Sequence, residues 1–463
     1  MPATEPRAII IGCGRFAEQP EILEYLNSTI DKFGIWPHLR CGVEVVEATW
    51  SEEDQLWRVH LRDVQTKHTF WREAEMLVSG VGTLSQHKGC DIPNWEFFKG
   101  AMWHSARWNN EYDLTGKTVA VVGNGCSAAQ LVPQIVRKAA KVYQFQRSAQ
   151  WVTSRINREF TAFDKWCFRY IPLLARYYRF KLWKDTDALH TLYMSDTPGL
   201  IRKREETTQK AVDYIKETAP KKYHDILVPP FPLGCKRRIF DPGYLDCLHR
   251  DNIELTTEPI RDIEVDATVL STCFQVQQFL SPINVRGRHN TLNEHWESTR
   301  GAQAYRGTFV SGFPNSGMIF GPNAFPAHNS VIYTNETQAE YLIKAMFKPV
   351  LAGHIKSLDV KEAAETCEAN ALQEKLKGMV WSGGCSNWNL NANGRNTTNY
   401  PDNTYKFWWQ LYWPQWKDFD ISGDTGRRPT HPFYKVAFAA ALVSVALGDV
   451  YNGRFLRQLL KIA

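Results

Sequence analysis

The sequence predicts an α/β protein built on two strand–turn–helix units of a nucleotide-binding kind. Three observations predict it. Residues 117–122 (KTVAVV) form an apolar run that leads into Gly123, Gly125 and Ala128 of a GxGxxA turn, and a helical pattern follows. Residues 7–11 (RAIII) run in the same way into Gly12 and Gly14. Further short apolar runs at 141–145, 253–256 and 267–270 supply more strands of the same sort. Two Rossmann-like dinucleotide-binding domains are therefore expected.

Along the chain, residues 20–33 read as an amphipathic helix with Ile22, Leu23, Leu26, Ile30 and Phe33 on its apolar face. Residues 43–50, the polar turn 51–55 and residues 56–61 read as a β-hairpin, and 75–78 as a third strand. Residues 160–222 read as largely helical, rich in aromatic and basic side chains. A helix is expected at 331–344. The last hundred residues read as helical or irregular, with a Trp/Asn/Gly-rich patch at 381–413.

At 463 residues the chain has room for two to three domains. The net charge of +6 suits anionic cofactors but lacks the clustered basic stripe of a nucleic-acid binder, so no nucleic-acid partner is expected. Ten cysteines without metal-ligand spacing point to free thiols in a reducing compartment and to no metal site. No secretory signal is visible, so a cytoplasmic protein is expected. The apolar stretch 436–447 is twelve residues long, too short for an ordinary membrane span but able to touch a bilayer.

The second glycine turn carries its own chemistry. The first glycine permits the tight turn, the second lets a pyrophosphate approach the backbone, and a small third residue packs helix on strand. Gly123, Asn124, Gly125, Cys126, Ser127, Ala128, Ala129 and Gln130 fill this loop. The next strand ends at Arg147 and Ser148, where an acidic residue would select NADH and an arginine accommodates the 2′-phosphate of NADPH. Pro133 falls inside the helix and is expected to kink it.

Phe98, Gly100, His104 and Trp108 form an FxGxxxHxxxW pattern just ahead of this turn. It resembles the signature of flavin-dependent Baeyer–Villiger monooxygenases, as do residues 145–148 (FQRS), 234–237 (GCKR), 241–244 (DPGY), 312–315 (GFPN) and 321–323 (GPN). The resemblance covers nearly the whole chain and looks like that of fungal secondary-metabolism members. It implies an FAD domain in two segments with an NADP domain inserted between them. The corresponding segments are 1–112, 113–265 with a helical insertion at about 155–225, 266–400, and a tail at 401–463. The implied reaction uses NADPH, FAD and O2 to convert a small-molecule ketone to an ester or lactone. Arg237 falls on the active-site arginine, His104 on the signature histidine, Val45 beside the FAD adenine, and Asn323 on the loop near the flavin ring. Cys273 stands where the family pattern has glycine, and Trp108 argues against the sister N- and S-hydroxylating enzymes.

The first turn departs from the pattern. After Gly14 the chain passes to Pro20 and then to an antiparallel hairpin, where the fold requires a parallel strand ending in an acid. The family's first helix, acid-ended strand and flavin loop have no counterpart, so much of the N-terminal FAD unit is missing and FAD binding is in question. Two readings stay open: an FAD/NADPH monooxygenase acting on a ketone, such as a polyketide, and a flavin-free NADP-binding protein or the product of a gene model lacking an exon.

Overall fold

The computed structural model describes residues 19–155, 160–194, 197–260 and 264–426. Gly12 and Gly14 and the stretch 436–447 lie outside the described residues. Helix α1 (Gln19–Phe33) forms as expected, with Pro20 in the first turn, where its missing N–H has no intrahelical partner to lose. None of its residues is buried, and Leu23, Leu26 and Phe33 stand about half exposed. The apolar face expected on this helix therefore meets no core among the described residues.

Strands β1 (Val43–Ser51) and β2 (Leu56–Asp63) make the expected antiparallel hairpin, with Gln55 in the left-handed turn position at φ 54. Ala48, Trp50, Trp57 and Val59 alternate inward, and Trp57 Nε1 donates to the Pro314 carbonyl at 2.8 Å. Strand β3 (Thr69–Ala74) extends the hairpin antiparallel to β2. It was not anticipated, because most of its side chains face solvent and the alternation is masked. Strand β4 (Leu77–Ser79) starts two residues later than the expected 75–78. The Glu75 carbonyl is taken instead by the Asn315 side chain at 3.0 Å.

Strands β5 (Ala101–His104), β6 (Thr118–Val122) and β7 (Lys141–Phe145) enter a second, all-parallel sheet. Helix α2 (Cys126–Ile135) links β6 to β7 and keeps Pro133 inside its last turn. After β8 (Val152–Thr153) come the helices α3 (Ala162–Tyr170), α4 (Leu174–Asp187), α5 (Pro198–Thr218) and α6 (His224–Leu227). Strand β9 (Ile239–Phe240) pairs with β8, and α7 (Tyr244–Cys247) leads to β10 (Ile253–Thr256) and β11 (Ala267–Leu270). The sheet order is β10-β7-β6-β11-β5. Val119, Val121, Val142 and Val269 are fully buried within it, as strands covered on both faces must be.

The remaining chain returns to the hairpin. Strand β12 (Asn284–Arg286) runs parallel to β1, α8 (Leu292–Ser298) follows, and β13 (Ser316–Met318) pairs in parallel with β4. Helix α9 (Val331–Leu342) passes through a π turn at Ile343–Phe347 into α10 (Lys348–Leu351), so the helical run exceeds the expected 331–344. Strand β14 (Ser357–Val360), α11 (Glu362–Lys377) and α12 (Thr404–Leu411) complete the core. Strand β15 (Phe419–Ser422) pairs antiparallel with β14. It lies in a stretch read as helical or irregular, because its partner is some sixty residues away.

Two long-range ties join the chain at Asp187 and at Cys235 to residues 328–404. The buried Asp187 carboxylate at the end of α4 accepts from His328 Nε2 (3.1 Å), Asn329 Nδ2 (3.1 Å), Thr404 N (2.8 Å) and Thr404 Oγ1 (2.6 Å). Burial pushes its pKa up, but these donors outweigh burial and hold it well below the usual carboxylate range. Cys235 and Cys385 form a disulfide, which corrects the expectation of free thiols throughout. Spacing could not reveal the pair, because the two cysteines are 150 residues apart and meet only in a small core with Leu376, Val380 and Trp381.

Candidate active site

The glycine loop at the end of β6 is fixed from below and open above. Gly123 adopts φ 114, and its N–H donates to the Phe145 carbonyl at 2.9 Å. A Cβ there would collide with the Ser271 carbonyl at the end of β11, so the fold itself demands glycine. Gly125 differs, because a Cβ on it would meet no atom within 4 Å. It stands at the N-terminus of α2, and the free space above it suits a pyrophosphate on the exposed backbone N–H groups. Ala128 and Ala129 are fully buried and press α2 onto the sheet.

Not every loop residue offers its side chain outward. Asn124 Nδ2 donates to Gln146 Oε1 (2.8 Å) and to the Ser148 carbonyl (2.9 Å), tying the loop to the end of β7. Gln130 Nε2 returns to the Cys126 carbonyl, and Ser127 is exposed. Burial pushes the Cys126 thiol up, while the neighbouring Arg237 guanidinium pulls it partly back.

A basic corner lies beyond β7. Arg147 is exposed there, and Ser148 Oγ accepts from Lys236 Nζ at 2.7 Å. Burial lowers the Lys236 pKa, and Arg147 nearby lowers it further. Two cations held together with a hydroxyl suit a dianionic phosphate. The sequence reading did not place Lys236 in this site. The β8–β9 pairing brings residues 236 and 148 together across 88 positions, and no local signal shows it.

Arg237, the next residue, connects two regions. Its guanidinium lies beside Cys126 of the glycine loop and 5.5 Å from the centre of the Phe325 ring. Phe325 follows closely on Gly321 and Asn323. The DPGY segment that follows Arg237 is a bracket: Asp241 Oδ1 accepts from Gly243 N and Tyr244 N, and Asp241 Oδ2 from Tyr214 Oη. Tyr244 Oη donates to Gln144 Oε1 at 3.0 Å on β7. The arginine itself is exposed and mounted on a fixed turn.

The other expected residues take different places. Asn323 is buried at φ 55, and its Nδ2 donates to the Asn396 and Asn399 carbonyls at 2.9 Å each. Its side chain thus holds the loop and has no amide hydrogen left to offer. Val45 lies in β1, half-buried against the hairpin core. His104 ends β5 and is buried, its Nδ1 accepting from Ala106 N at 3.1 Å. Its ring stacks on His87 at 4.7 Å and meets the edge of Phe274 at 5.6 Å. Burial, with His87 second, lowers its pKa and favours the neutral imidazole. Trp108 packs edge-on against Trp103 at 5.6 Å. Cys273 keeps φ 81, a glycine-like turn carrying a side chain. Among the described residues, no group of His, Cys, Asp and Glu is arranged to hold a metal, and no helix is long and apolar enough to cross a membrane.

Comparison with known proteins bears on the family and the fold. Residues 13–186 match the family described as flavin-binding monooxygenase-like. A Baeyer–Villiger monooxygenase of Streptomyces coelicolor is 32% identical over 409 residues, covering 85% of this chain and 76% of the relative. The FAD-binding monooxygenase ktnD of Aspergillus niger is 30% identical over 430 residues, covering 88% and 70%. In structure, OTEMO in complex with FAD and NADP superimposes with a TM-score of 0.75 at 21% identity, covering 88% of this chain and 85% of that one. Cyclohexanone monooxygenase from Rhodococcus sp. Phi1 bound to NADP+ gives 0.74 at 22% identity, with the same coverage. Identity sustained over more than four-fifths of the sequence goes beyond a shared fold: the chain belongs to the flavin-dependent Baeyer–Villiger monooxygenase family.

Proposed function

We propose that this protein converts a ketone, O2, NADPH and a proton to an ester or lactone, NADP+ and water. The single observation that carries the reading is the placement of Arg237 between Cys126 of the glycine loop and Phe325 beside residues 321–323. FAD, when bound and reduced by NADPH, supplies the activated oxygen.

The chain's own residues supply the rest. The backbone at Gly123, Gly125 and the start of α2 holds the NADPH pyrophosphate, and Arg147, Ser148 and Lys236 hold its 2′-phosphate. Arg237 presents a fixed positive charge to the negative charge that develops on the substrate oxygen, and a guanidinium never deprotonates in the working range. His104, neutral and buried, sets the path from β5 toward Trp108 and so acts through position. Residues 321–323, held by Asn323, wall the flavin side, and Val45 contributes to the adenine side.

We further propose the division into FAD segments 1–112 and 266–400, an NADP domain at 113–265 and a C-terminal stretch 401–463, whose α12 and β15 pack onto the second FAD segment. The substrate is proposed to be a bulky apolar ketone of secondary metabolism, in keeping with relatives in Aspergillus species, and the location cytoplasmic. A second reading, a flavin-free NADP-binding protein, draws support from α1, which buries nothing, and from a β4–β13 pair only three residues long.

The test is product analysis. Purified protein supplied with FAD, NADPH, 18O2 and a panel of apolar ketones is expected to yield an ester one labelled oxygen heavier than the ketone. NADPH binding with no oxygenated product from any ketone would favour the flavin-free reading.

A further inference from the structure

Helices α3 and α4 form a hairpin with two sets of aromatic side chains. Phe160, Phe168 and Tyr178 fill its inside, with ring centroids 5.3–5.9 Å apart. Trp183 Nε1 to Thr404 Oγ1 (3.0 Å), Arg179 to Glu336 (2.6 Å) and Asp187 then seat α4 on the rest of the molecule. Folding of the hairpin is accounted for by these contacts.

The second set points away. Phe163, Trp166 and Tyr170 follow one another at i, i+3 and i+7 along α3, and Leu173, Tyr177 and Phe180 repeat the stripe from the turn into α4. All six are between 53% and 71% exposed. Large side chains of roughly 150–250 Å2 each, more than half uncovered, bring the apolar surface to the size that marks an interaction site.

The charge around the stripe selects the occupant. Residues 160–187 contain six basic and three acidic side chains, which leaves the hairpin cationic. The acids are already used: Asp164 caps α3 through Thr161, Asp185 takes Lys181, and Asp187 is buried. Exposed Lys165, Arg169 and Lys184 flank the aromatic stripe. A second copy of the chain would bring two such cationic rims together. An anionic bilayer answers both features, because Trp and Tyr favour the headgroup region and lysine and arginine are drawn to acidic lipid.

We propose that the outer face of the α3–α4 hairpin docks the protein on the surface of an anionic phospholipid bilayer. This assignment does not depend on whether flavin is bound. Co-flotation of the full chain with phosphatidylcholine vesicles, with and without phosphatidylserine, tests it. The expected result is at least tenfold stronger binding to the phosphatidylserine vesicles, weakened by salt. Binding should fall at least tenfold both in a Phe163→Ser/Trp166→Ser variant and in a Lys165→Glu/Arg169→Glu variant. These positions are exposed, and an unchanged thermal midpoint would show that the variants fold. Absence of binding, equal binding to neutral vesicles, or binding unaltered in both variants would overturn the proposal; the last would point to residues 427–463. A dimer in sedimentation velocity that the aromatic substitutions dissolve, with no vesicle binding, would assign the face to a second copy and overturn it equally.

Discussion

Two parallel strand systems flank the candidate site, and they are held by different forces. The β10-β7-β6-β11-β5 sheet has its strand ladders complete and Val119, Val121, Val142 and Val269 fully buried. Its glycine loop therefore rests on backbone hydrogen bonds and apolar packing, with Gly123 wedged against the Ser271 carbonyl. On the other side, β4 and β13 pair over only three residues. There the loop through Asn323 is held by buried side-chain amides: Asn315 to the Glu75 and Lys356 carbonyls, Gln338 to the Gly307 carbonyl, and Asn323 to the Asn396 and Asn399 carbonyls. A sheet spreads its stability over many similar contacts. An amide lattice concentrates it in a few, each costly to leave unpaired once buried.

The largest expected effect lies where the two sides meet. Arg237→Ala removes the fixed charge and should reduce oxygenated product about 10²–10³-fold, with NADPH binding little changed. Steady-state product formation and NADPH titration together check it, and loss of both would place Arg237 in dinucleotide binding instead. On the amide side, Asn323→Ala leaves the buried Asn399 carbonyl unpaired and takes one of two donors from the Asn396 carbonyl, which keeps Gln373 Nε2; urea unfolding should show a loss of about 2–4 kcal/mol. Gly123→Ala on the sheet side combines strain at a positive φ with a backbone collision, and a loss of about 1–3 kcal/mol is expected in the same assay.

Smaller effects should separate binding from folding. Lys236→Met should lower the NADPH-over-NADH preference roughly tenfold or more, the scale of one charge-assisted hydrogen bond. The sign with pH follows from burial. The Lys236 ammonium keeps its charge only below a depressed pKa, so the preference is fully present on the acid side of that pKa. It should fade as pH rises, at a lower pH than an exposed lysine would give. Isothermal titration of both dinucleotides across alkaline pH reads this directly. Gly125→Ala should leave the unfolding midpoint nearly unmoved, since a Cβ there meets only open space, yet weaken NADPH binding. A matching loss of stability would show that Gly125 serves the fold and not the ligand.

Much of the sheet side was legible in the sequence. Strands at 141–145, 253–256 and 267–270 and the turn at Gly123 announce themselves by local apolar runs and glycine spacing, and all appear where expected. Arg237 was legible only through the motif around it. Lys236 beside Ser148 and the Cys235–Cys385 disulfide were not, because each depends on chain segments 88 and 150 residues apart. Asn323 shows a further limit. The motif located its loop, while only the structure shows that its side chain faces inward to two carbonyls. Helix α1 was read correctly as a helix with an apolar face, but periodicity reports which face is apolar and not whether anything packs on it, and none of its residues is buried.

The central claim is that both sides together still hold two dinucleotides around Arg237. The visible spectrum of the protein, incubated with FAD, desalted and then mixed with NADPH without oxygen, tests it most directly. Flavin absorbance that survives desalting and bleaches on adding NADPH is the predicted result. A colourless protein that nevertheless binds NADPH would contradict it, leaving the five-stranded sheet as the working half of the molecule.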